Sequence, residues 1–307
     1  MARPAHIPVL LGQVLETLAP RPGETLLDCT AGLGGHSAAI APHLGPTGTV
    51  ILVDLDEANL EKAAAHVRSL PEAPAVVALH ANFAEAPRLL VERGLSADLL
   101  LADLGFASNQ IEQAERGFSF QREGPLDMRL DPSRGQSAAE LIATVSEEEL
   151  GEIIRDFGEE RHWRRVARKV VAERELRPIS TTLELARIVR AVVGSGGQRI
   201  DPATRTFQAL RIAVNDELGS LDALLESIRR TASGAAPAER WLARGARIAL
   251  ITFHSLEDRR VKQAFADLTT RRLATEITRR PLIATDEEAA SNPRARSAKL
   301  RVVRLNE

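Results

Sequence analysis

Cysteine is nearly absent from this sequence: Cys29 is the only one among 307 residues. The chain therefore cannot hold a disulfide framework, or a metal site built from several of its own cysteines. No segment reaches the run of about 18 apolar residues that a membrane span requires. The N-terminus lacks the basic region and long apolar run of a signal peptide. We therefore expect a cytoplasmic protein with no membrane partner.

A strong net charge is also missing, since the formal net charge is −2. The chain as a whole is no polycation, so binding to a nucleic acid would depend on local basic patches. Two such patches occur, RHWRRVARK at 161–169 and NPRARSAKLRVVR at 292–304. With 44% hydrophobic and 27% charged residues, the composition is otherwise that of a globular protein able to bury a sizeable core.

Short apolar runs alternate with helical stretches in the first third of the chain. The runs are nearly continuous in Val, Leu and Ile, and they span 24–30, 49–56, 73–79 and 97–104, with a similar run at 246–253. Such strands are typical of a parallel sheet that is covered by helices on both faces. The sequence therefore predicts an α/β fold, in which 277–284 and 299–305 form an antiparallel pair at the sheet edge.

The interval between the fourth and fifth predicted strands is too long for a simple crossover and is rich in amphipathic helical sequence. We therefore predict an inserted helical domain at 109–209 and a sheet domain formed by 1–108 and 210–307. A helix at about 212–230, with Leu218 on its apolar face, is expected to return the chain to the core.

The segment DCTAGLGGHSAAI, residues 28–40, predicts a strand that ends at Asp28 and turns through glycines into a helix. Glycine lets the backbone approach a ligand closely. A dinucleotide-binding turn has the pattern G-x-G-x-x-G, but counting from Gly32 the third glycine is replaced by Ser37. This departure favours a nucleoside ligand without a pyrophosphate, such as S-adenosylmethionine (SAM). A dinucleotide, and with it an NAD-type oxidoreductase, stays the alternative.

Acidic residues follow three neighbouring predicted strands. Asp28, Asp54 and Asp103 are expected at the carboxyl ends of these strands, where open parallel sheets bind ligands. Asp54 lies 20 residues after Gly34, where an acidic residue can hold both ribose hydroxyls. Three carboxylates could suggest a metal, but Mg²⁺ sites usually rely on substrate phosphates plus one or two carboxylates, so no metal is expected. His36 belongs to the first helical turn; we expect its ring to face solvent or ligand, and we assign it no proton chemistry.

Asp103 is followed by LGFASNQ. The exocyclic amine of a base is a poor nucleophile because its lone pair is delocalised into the ring. Its methylation needs an acceptor that draws the nitrogen out of conjugation and takes its proton. Asp103, or a backbone carbonyl of residues 104–106, could be that acceptor. Phe106 could stack on a flipped base or be a core residue beneath the loop, and Gln110 could reach adenine or the polar edge of the cofactor.

Long motifs recur along almost the whole chain in a fixed order. They include HIPVLL (6–11), DCTAGLGGH (28–36), VDLD (53–56), GPLDMR (124–129), GEERHWRR (158–165), PATRTFQALRI (202–212), FHSLEDR (253–259) and NPRARSAKLR (292–301). In these motifs the chain resembles the RsmH (MraW) family of rRNA small-subunit methyltransferases. The resemblance implies a Rossmann-like class I SAM-dependent methyltransferase core interrupted by a helical domain for substrate recognition.

The resemblance also implies an activity, SAM-dependent methylation of the N4 amino group of one cytidine in 16S rRNA. That cytidine lies near the P site of the small ribosomal subunit. The cofactor-binding positions implied by the family are Gly34, Gly35, His36, Asp54, Phe83, Asp103 and Gln110. Where the family usually has DLGVSSPQLD, this chain has DLGFASNQIE. Phe106 is therefore not a residue of the family pattern, and the resemblance implies no role for it. The histidine that usually precedes PATRTFQ is Asp201.

Arginines 161, 164, 165 and 168 have the spacing of one helix face. Arg164 and Arg168 would then track RNA phosphates, although nearby glutamates leave a salt-bridged, solvated face as the alternative. A second candidate surface consists of Arg294, Arg296, Lys299 and Arg301. Arg205 is expected to line a cleft between the domains.

His254, Ser255 and Glu257 invite a hydrolase interpretation, but the G-x-S-x-G pattern of a nucleophile elbow is absent. We instead expect His254 to shape the substrate pocket. A non-catalytic ribosome-assembly factor that retains a SAM pocket remains the second alternative function. The sequence leaves open whether the protein acts on free rRNA or on the assembled subunit, and whether it is a homodimer.

Overall fold

A computed structural model of the chain describes residues 8–194, 201–234 and 236–307. The N-terminal residues 1–7, where we expect no signal peptide, lie outside the described part. The chain divides into two compact units: Met1–Gly105 together with Leu218–Glu307, and Phe106–Glu217. We call them the sheet unit and the helical unit. The helical unit is longer at both ends than the predicted insert at 109–209.

The sheet unit is built on seven strands in the order β3-β2-β1-β4-β5-β7-β6. The first five are parallel, and β7 runs antiparallel to both β5 and β6. The strands are β1 (Thr25–Asp28), β2 (Thr49–Asp54), β3 (Ala75–His80), β4 (Ala97–Asp103), β5 (Leu242–Thr252), β6 (Ala274–Glu276) and β7 (Lys299–Leu305). The predicted parallel α/β fold is confirmed, with the 3-2-1-4-5 order of doubly wound nucleotide-binding sheets.

Helices surround the sheet and form most of the helical unit. In chain order they are α1 (Leu11–Leu18), α2 (Gly35–Leu44), α3 (Glu57–Arg68), α4 (Ala86–Glu92), α5 (Ser108–Glu112), α6 (Ala138–Thr144), α7 (Glu147–Gly158), α8 (Trp163–Leu176), α9 (Thr182–Val193), α10 (Thr204–Asn215), α11 (Glu217–Ala232), α12 (Ser255–Thr270) and α13 (Asp286–Ser291). Among the described residues, no helix combines the length and apolar character needed to cross a bilayer.

Two predicted elements differ from the structure. The single helix expected at 212–230 is two helices, α10 and α11, separated at Asp216, where φ is +46°. The C-terminal strand β7 pairs with β6, which lies before the predicted partner segment 277–284. Of that segment, Leu282 bridges to Leu300 of β7, and the N–H groups of Ile277 and Thr278 both donate to the carbonyl of Val302.

The core of the sheet unit has one apolar layer on each face of the sheet. On one face, α11 and α12 contribute buried residues such as Leu221 and Phe265, and on the other, α1 and α2 contribute Val14 and Ile40. Each such side chain contributes about 1.5–3 kcal/mol when it is fully buried. Since the central strands are covered on both sides, most of their residues are apolar, and an acidic residue ends each of β1, β2 and β4.

The helical unit has a separate apolar core, formed mainly by α7, α8, α9 and α10. Three of its helices begin at hydroxyl residues whose side chains accept a backbone N–H of the first turn, namely Ser137, Ser146 and Thr181. In each case a glutamate three residues later bonds back to the capping residue. These caps fix where α6, α7 and α9 begin.

Candidate functional site

Three aspartates end neighbouring parallel strands of the sheet unit. Asp28 ends β1, Asp54 ends β2 and Asp103 ends β4. The order β2-β1-β4 brings these three carboxyl ends to one edge of the sheet. Open parallel sheets bind their ligands at this edge.

Asp28 is enclosed within the protein. Its Oδ2 accepts a 2.6 Å hydrogen bond from the Ser37 hydroxyl, and its Oδ1 accepts the N–H of Thr30 at 3.1 Å. Burial raises the pKa of Asp28 to about 6, although the Ser37 hydrogen bond acts against the rise. Ser37 occupies the position of the third glycine in a dinucleotide turn, so its bond to Asp28 explains why that glycine is replaced. Asp28 therefore shapes the turn from inside.

Asp54 is held by two backbone N–H groups. Gly32 donates to its Oδ2 at 2.7 Å, and Asp56 donates to its Oδ1 at 2.8 Å. Burial raises the pKa of Asp54 to about 6, while these two bonds favour the ionised form. Each carboxylate oxygen can accept more than one hydrogen bond. The fixed carboxylate is therefore suited to the two hydroxyls of a ribose.

The glycines of the β1–α2 turn are required by packing within the protein. Gly34 has φ +80°, and a Cβ at this position would lie 2.9 Å from the Cα of Ala63 on α3. A Cβ on Gly35 would lie 2.8 Å from Cγ of Pro8. We expected these glycines to let a ligand approach, but close contacts inside the sheet unit already exclude a side chain at both positions.

Asp103 has an incomplete set of partners. Its backbone N–H donates to Oγ1 of Thr30 at 2.6 Å, which ties the end of β4 to the β1–α2 turn. Its Oδ1 is buried, and no group in the described part of the chain donates a hydrogen bond to it. The side chain as a whole is 21% exposed. Burial raises the pKa of Asp103 to about 7. Buried acceptors are normally satisfied, so an orphaned carboxylate oxygen marks a candidate reactive group.

Charged groups from other elements face Asp103. After burial, the largest influence is the guanidinium of Arg294, which lowers the pKa of Asp103, while Glu257 raises it. Burial lowers the pKa of Arg294 itself. We expected Arg294 only as part of an RNA-binding patch. Its role beside Asp103 depends on the return of the chain between α13 and β7, for which the sequence carried no signal.

His36 differs from the prediction that its ring faces solvent or ligand. The residue is only 8% exposed, and its Nε2 lies 2.9 Å from the carbonyl oxygen of Val9. Its Nδ1 lies 3.8 Å from Oδ2 of Asp103. Burial lowers the pKa of His36, although Asp28, the bond to Val9 and Glu288 favour the charged form. His36 thus lies on α2, and its buried ring faces the candidate site.

Phe83 and His254 both follow strands of the sheet unit. Phe83 begins a short 3₁₀ turn after β3, and its ring packs partly against the core. His254 precedes α12, and its Nε2 lies 3.0 Å from Oε1 of Glu257. Glu257 is buried and its Oε2 accepts the N–H of Phe253 at 2.9 Å. Glu257 also raises the pKa of Asp103, an influence that no sequence pattern predicts although the FHSLED motif contains this residue.

Two further predicted residues belong to the helical unit. The Phe106 ring stacks on Phe118 with centroids 5.6 Å apart, and the guanidinium of Arg211 lies 4.7 Å from its centroid. Gln110 is buried and its Oε1 accepts the N–H of Ala107 at 2.9 Å. The stacking of Phe106 on a base and the contact of Gln110 with a cofactor stay predictions.

The first basic patch is only partly a helix face. Arg161 precedes α8, so the predicted four-arginine stripe begins outside the helix. The guanidinium of Arg164 lies 4.3 Å from the ring centroid of Trp163, and Arg168 lies 3.6 Å from Glu147. Arg205 donates from Nη1 to the Glu159 carbonyl at 3.2 Å.

Several cations of the second basic patch are paired with groups of the sheet unit. Lys299 and Arg301 both donate to Asp258, at 3.0 and 2.8 Å. Arg296 donates to the carbonyl of Ala289 at 3.1 Å. Ion pairs and hydrogen bonds inside the unit therefore account for much of this run of charge.

Asp201, which replaces a family histidine, has local partners. Arg190 donates to its Oδ2 from Nη2 at 2.8 Å, and the N–H of Ala203 donates to its Oδ1 at 2.9 Å. The hydrogen bond from Arg190 lowers the pKa of Asp201. The aspartate therefore joins α9 to the segment that precedes α10.

The geometry leaves two cofactor classes, a dinucleotide and SAM, and the comparison with known proteins decides between them. The model of the MraW methylase family matches residues 3–306. The chain belongs to the MraW methylase family. The ribosomal RNA small subunit methyltransferase H of Acidobacterium capsulatum is 47% identical over 307 residues, which covers 98% of each chain. The protein of the same name from Halorhodospira halophila is 47% identical over 315 residues and covers 97% of this chain and 93% of its own.

Among solved structures, TrmN from Thermus thermophilus has a TM-score of 0.40 at 15% identity, covering 96% of this chain and 48% of that one. Membership of the methylase family confirms the expected methyltransferase and its cofactor SAM, and it excludes the NAD-type oxidoreductase. The residues at this edge fit SAM. The carboxylate of Asp54 is held in place and suits the two hydroxyls of a ribose, and the unpartnered Oδ1 of Asp103 lies at the same sheet edge.

Proposed function

We propose that this protein methylates the N4 amino group of one cytidine in 16S rRNA, near the P site of the small ribosomal subunit. The observation that carries the proposal is Asp103, a carboxylate at the ligand-binding edge with a buried, unpartnered oxygen and a pKa raised to about 7. The names of the relatives, which specify small-subunit rRNA, support the substrate class.

The chemistry of an amino group explains why such a carboxylate is useful. The N4 lone pair of cytosine is shared with the ring, so the nitrogen attacks only when a hydrogen-bond acceptor localises that lone pair. SAM, when bound, supplies an electrophilic methyl group. Asp103 accepts a hydrogen bond from the amine and takes its proton as the carbon–nitrogen bond forms. A general base with a pKa near the working pH is the most effective for this role.

The cofactor contacts that we propose follow the site geometry. Asp54 accepts the ribose hydroxyls, Phe83 offers an apolar surface to the adenine, and the backbone of Gly34 and Gly35 borders the amino-acid portion. Gln110 stays a proposed contact of the cofactor. His36 stays a proposed contact of the cofactor, and its buried ring lies beside Asp103.

Recognition of the rRNA is proposed for the helical unit together with His254. Arg168 is available to a phosphate, because its pairing with Glu147 at 3.6 Å is solvent-exposed and exposed pairs contribute little. Arg164 and Arg205 add positive charge, and Phe106 supplies an aromatic ring. Phosphate contacts of this kind would position the RNA, and base contacts would select the nucleotide.

Methyl transfer from labelled SAM tests the function. We expect one labelled methyl group per small subunit when the subunits lack the modification, and mass spectrometry of nuclease fragments should place it on N4 of a single 16S cytidine. Free 16S rRNA is the parallel substrate, and the two rates together show whether the protein acts on free rRNA or on the assembled subunit. Binding to subunits without any transfer of label would instead support a non-catalytic assembly factor.

A further inference from the structure

We propose that His36 is the second acceptor of the substrate proton and acts through Asp103, so that the two side chains form one proton-accepting pair. This inference rests on the proposed function, because it concerns the proton that leaves the amine. The observations that carry it are the fixed tautomer of His36, the geometry of the pair and the charges around it.

The tautomer of His36 follows from its bond to Val9. A carbonyl oxygen can only accept, so Nε2, at 2.9 Å from that oxygen, must carry the ring hydrogen. The neutral ring therefore presents a lone pair at Nδ1. This lone pair faces Oδ2 of Asp103 at 3.8 Å. His36 is thus oriented as a base toward the residue that accepts the proton.

The distance between the two groups allows a transfer after a small rearrangement. A hydrogen bond needs about 2.7–3.2 Å, so the carboxyl oxygen must move about 0.6–1.1 Å closer to Nδ1. His36 is held by Val9 and the backbone of Asp103 is held by Thr30, which leaves rotation of the Asp103 carboxyl group. In the described part of the chain its Oδ1 accepts no hydrogen bond, so the rotation breaks none at that oxygen.

The charges around the pair favour moving the proton from Asp103 to His36. Asp28 and Glu288 both face His36 and favour its protonated form. Arg294 faces Asp103 and favours its ionised form, whereas Glu257 and Asp28 oppose that form. Burial acts in the other direction, since it disfavours a charge on either group. Burial therefore leaves the proton more tightly held on Asp103 than on His36, and the surrounding charges reduce this difference.

The transfer is balanced in two steps. The bond from N4 to the methyl group forms while the bond from that methyl group to sulfur breaks, and the N4 proton passes to Oδ2 of Asp103. The proton then moves to Nδ1 of His36, which restores the Asp103 carboxylate and leaves a protonated imidazole. Solvent removes that proton before the next turnover.

The variant His36→Gln separates proton transfer from support of the fold. The glutamine amide can reach the Val9 carbonyl as a donor, but it offers no base at the Nδ1 position. We expect single-turnover methyl transfer, at saturating SAM, to slow about tenfold at pH 7.5. On the acid side, the slope of log rate against pH should fall by about one relative to the wild type, because one ionising group is lost. SAM affinity and the melting temperature should change little.

His80→Gln is the matched control. His80 makes the same kind of bond, from Nε2 to the carbonyl of Leu55 at 2.9 Å, at the end of β3. This variant should keep the wild-type acid slope that Asp103 and His36 set, while the loss of His80 raises the pKa of Asp54. If His36→Gln keeps the wild-type rate and acid slope, the role of His36 is overturned. The proposed function is unaffected by that result as long as the wild type methylates the cytidine. Failure of the wild type to methylate would instead reject the proposed function.

Nitrogen NMR of the wild-type protein gives a test that does not depend on a folded variant. With ¹⁵N-labelled histidine, we expect His36 above pH 8 to show a protonated Nε2 and a bare Nδ1. Its protonation should occur below the ordinary histidine pKa and shift in Asp103→Asn. A hydrogen on Nδ1 in the neutral ring would overturn the proposal, because Nδ1 could then accept nothing from Asp103.

Discussion

At the scale of the residue, Asp103 is held in an unfavourable state. An unsatisfied buried acceptor costs about 1–3 kcal/mol, and burial raises the pKa of this carboxyl to about 7. Arg294 relieves part of the cost, and no donor in the described part of the chain reaches Oδ1. A residue kept in this condition at a ligand-binding edge is better explained by reactivity than by stability.

The raised pKa of Asp103 predicts a dependence of stability on pH. The folded protein binds this proton more tightly than the unfolded chain, whose aspartates titrate near 3.8. The free energy of unfolding should therefore fall as the pH rises from about 4 to about 7. In Asp103→Asn this contribution is lost, so from pH 5 to pH 8 the wild type should lose on the order of 2 kcal/mol relative to the variant.

Urea denaturation of both proteins at each pH measures this difference. Asp54 has a raised pKa as well, but it titrates in both proteins and cancels in the comparison. Asp28 cancels only in part, because the charge of Asp103 raises its pKa and is absent from the variant. Parallel pH profiles for the two proteins would show that Asp103 has an ordinary pKa in the folded state.

Individual site residues could be predicted where the strand pattern fixed them. Asp54 and Asp103 lie at the strand ends, as expected, because a buried run that stops at an acid locates the sheet edge. His36 could not be placed, since its partner Val9 is 27 positions away and belongs to no periodic pattern. The effect of Arg294 on the pKa of Asp103 could not be predicted for the same reason. In the sequence, Arg294 is one of several cations in a basic run.

At the scale of the element, the β1–α2 turn is set by packing as much as by its ligand. Ser37 on α2 bonds to Asp28 on β1, and the Thr30 hydroxyl between them accepts from the backbone of β4. Gly34 allows α2 to approach α3, with φ +80°. The turn thus joins β1 and β4 to α2 and α3 in the sheet unit, so a change in the turn should lower the free energy of unfolding.

Gly34→Ala tests this interpretation of the turn. Alanine would adopt a left-handed conformation, at about 1–2 kcal/mol, and its Cβ would press on the backbone of Ala63. Gly94→Ala is the control, because Gly94 has φ +65° but open space around its Cβ position. We expect Gly34→Ala to lose about 2 kcal/mol more than the control in thermal or urea unfolding. Equal losses would mean that α3 moves aside freely.

The boundaries of helices were less predictable than those of strands. Apolar periodicity continued across Asp216, where the structure separates α10 from α11. The end of α10 is fixed by Asn215, whose side chain accepts from Leu130 at 2.7 Å and donates to Met128 at 2.8 Å. Such contacts join residues more than 80 positions apart, so no local pattern reports them.

At the scale of the whole molecule, the chain has two units with separate cores, and we propose a different function for each: methyl transfer for the sheet unit and RNA recognition for the helical unit. The sheet unit holds the three strand-end aspartates, and the helical unit holds Phe106, Gln110 and the arginines of α8. The sequence predicted an insert because the interval between two strands was too long, and an apolar core within that interval is observed. The residues at its ends were not predictable, since no change in composition marks them.

Charge reversal on α8 tests the proposed RNA surface. We expect Arg164→Glu/Arg168→Glu to weaken binding to small subunits at least tenfold, and more at low salt, because fewer phosphates are neutralised. SAM affinity in calorimetry should be unchanged. Arg229→Glu/Arg230→Glu makes the same change of charge on α11, where both arginines pair with Glu226. If the two double variants bind subunits equally, α8 is a solvated face.

The most direct test of the account is the single-turnover rate of methyl transfer in Asp103→Asn. Asparagine keeps the size of the side chain but cannot take a proton from the amine. We predict a rate at least about 100-fold below the wild type, with SAM still bound. Asp98→Asn, at the opposite end of β4, where Oδ2 accepts the N–H of Thr25 at 2.8 Å, should keep the wild-type rate. An Asp103→Asn protein that methylates the cytidine at the wild-type rate would contradict the account.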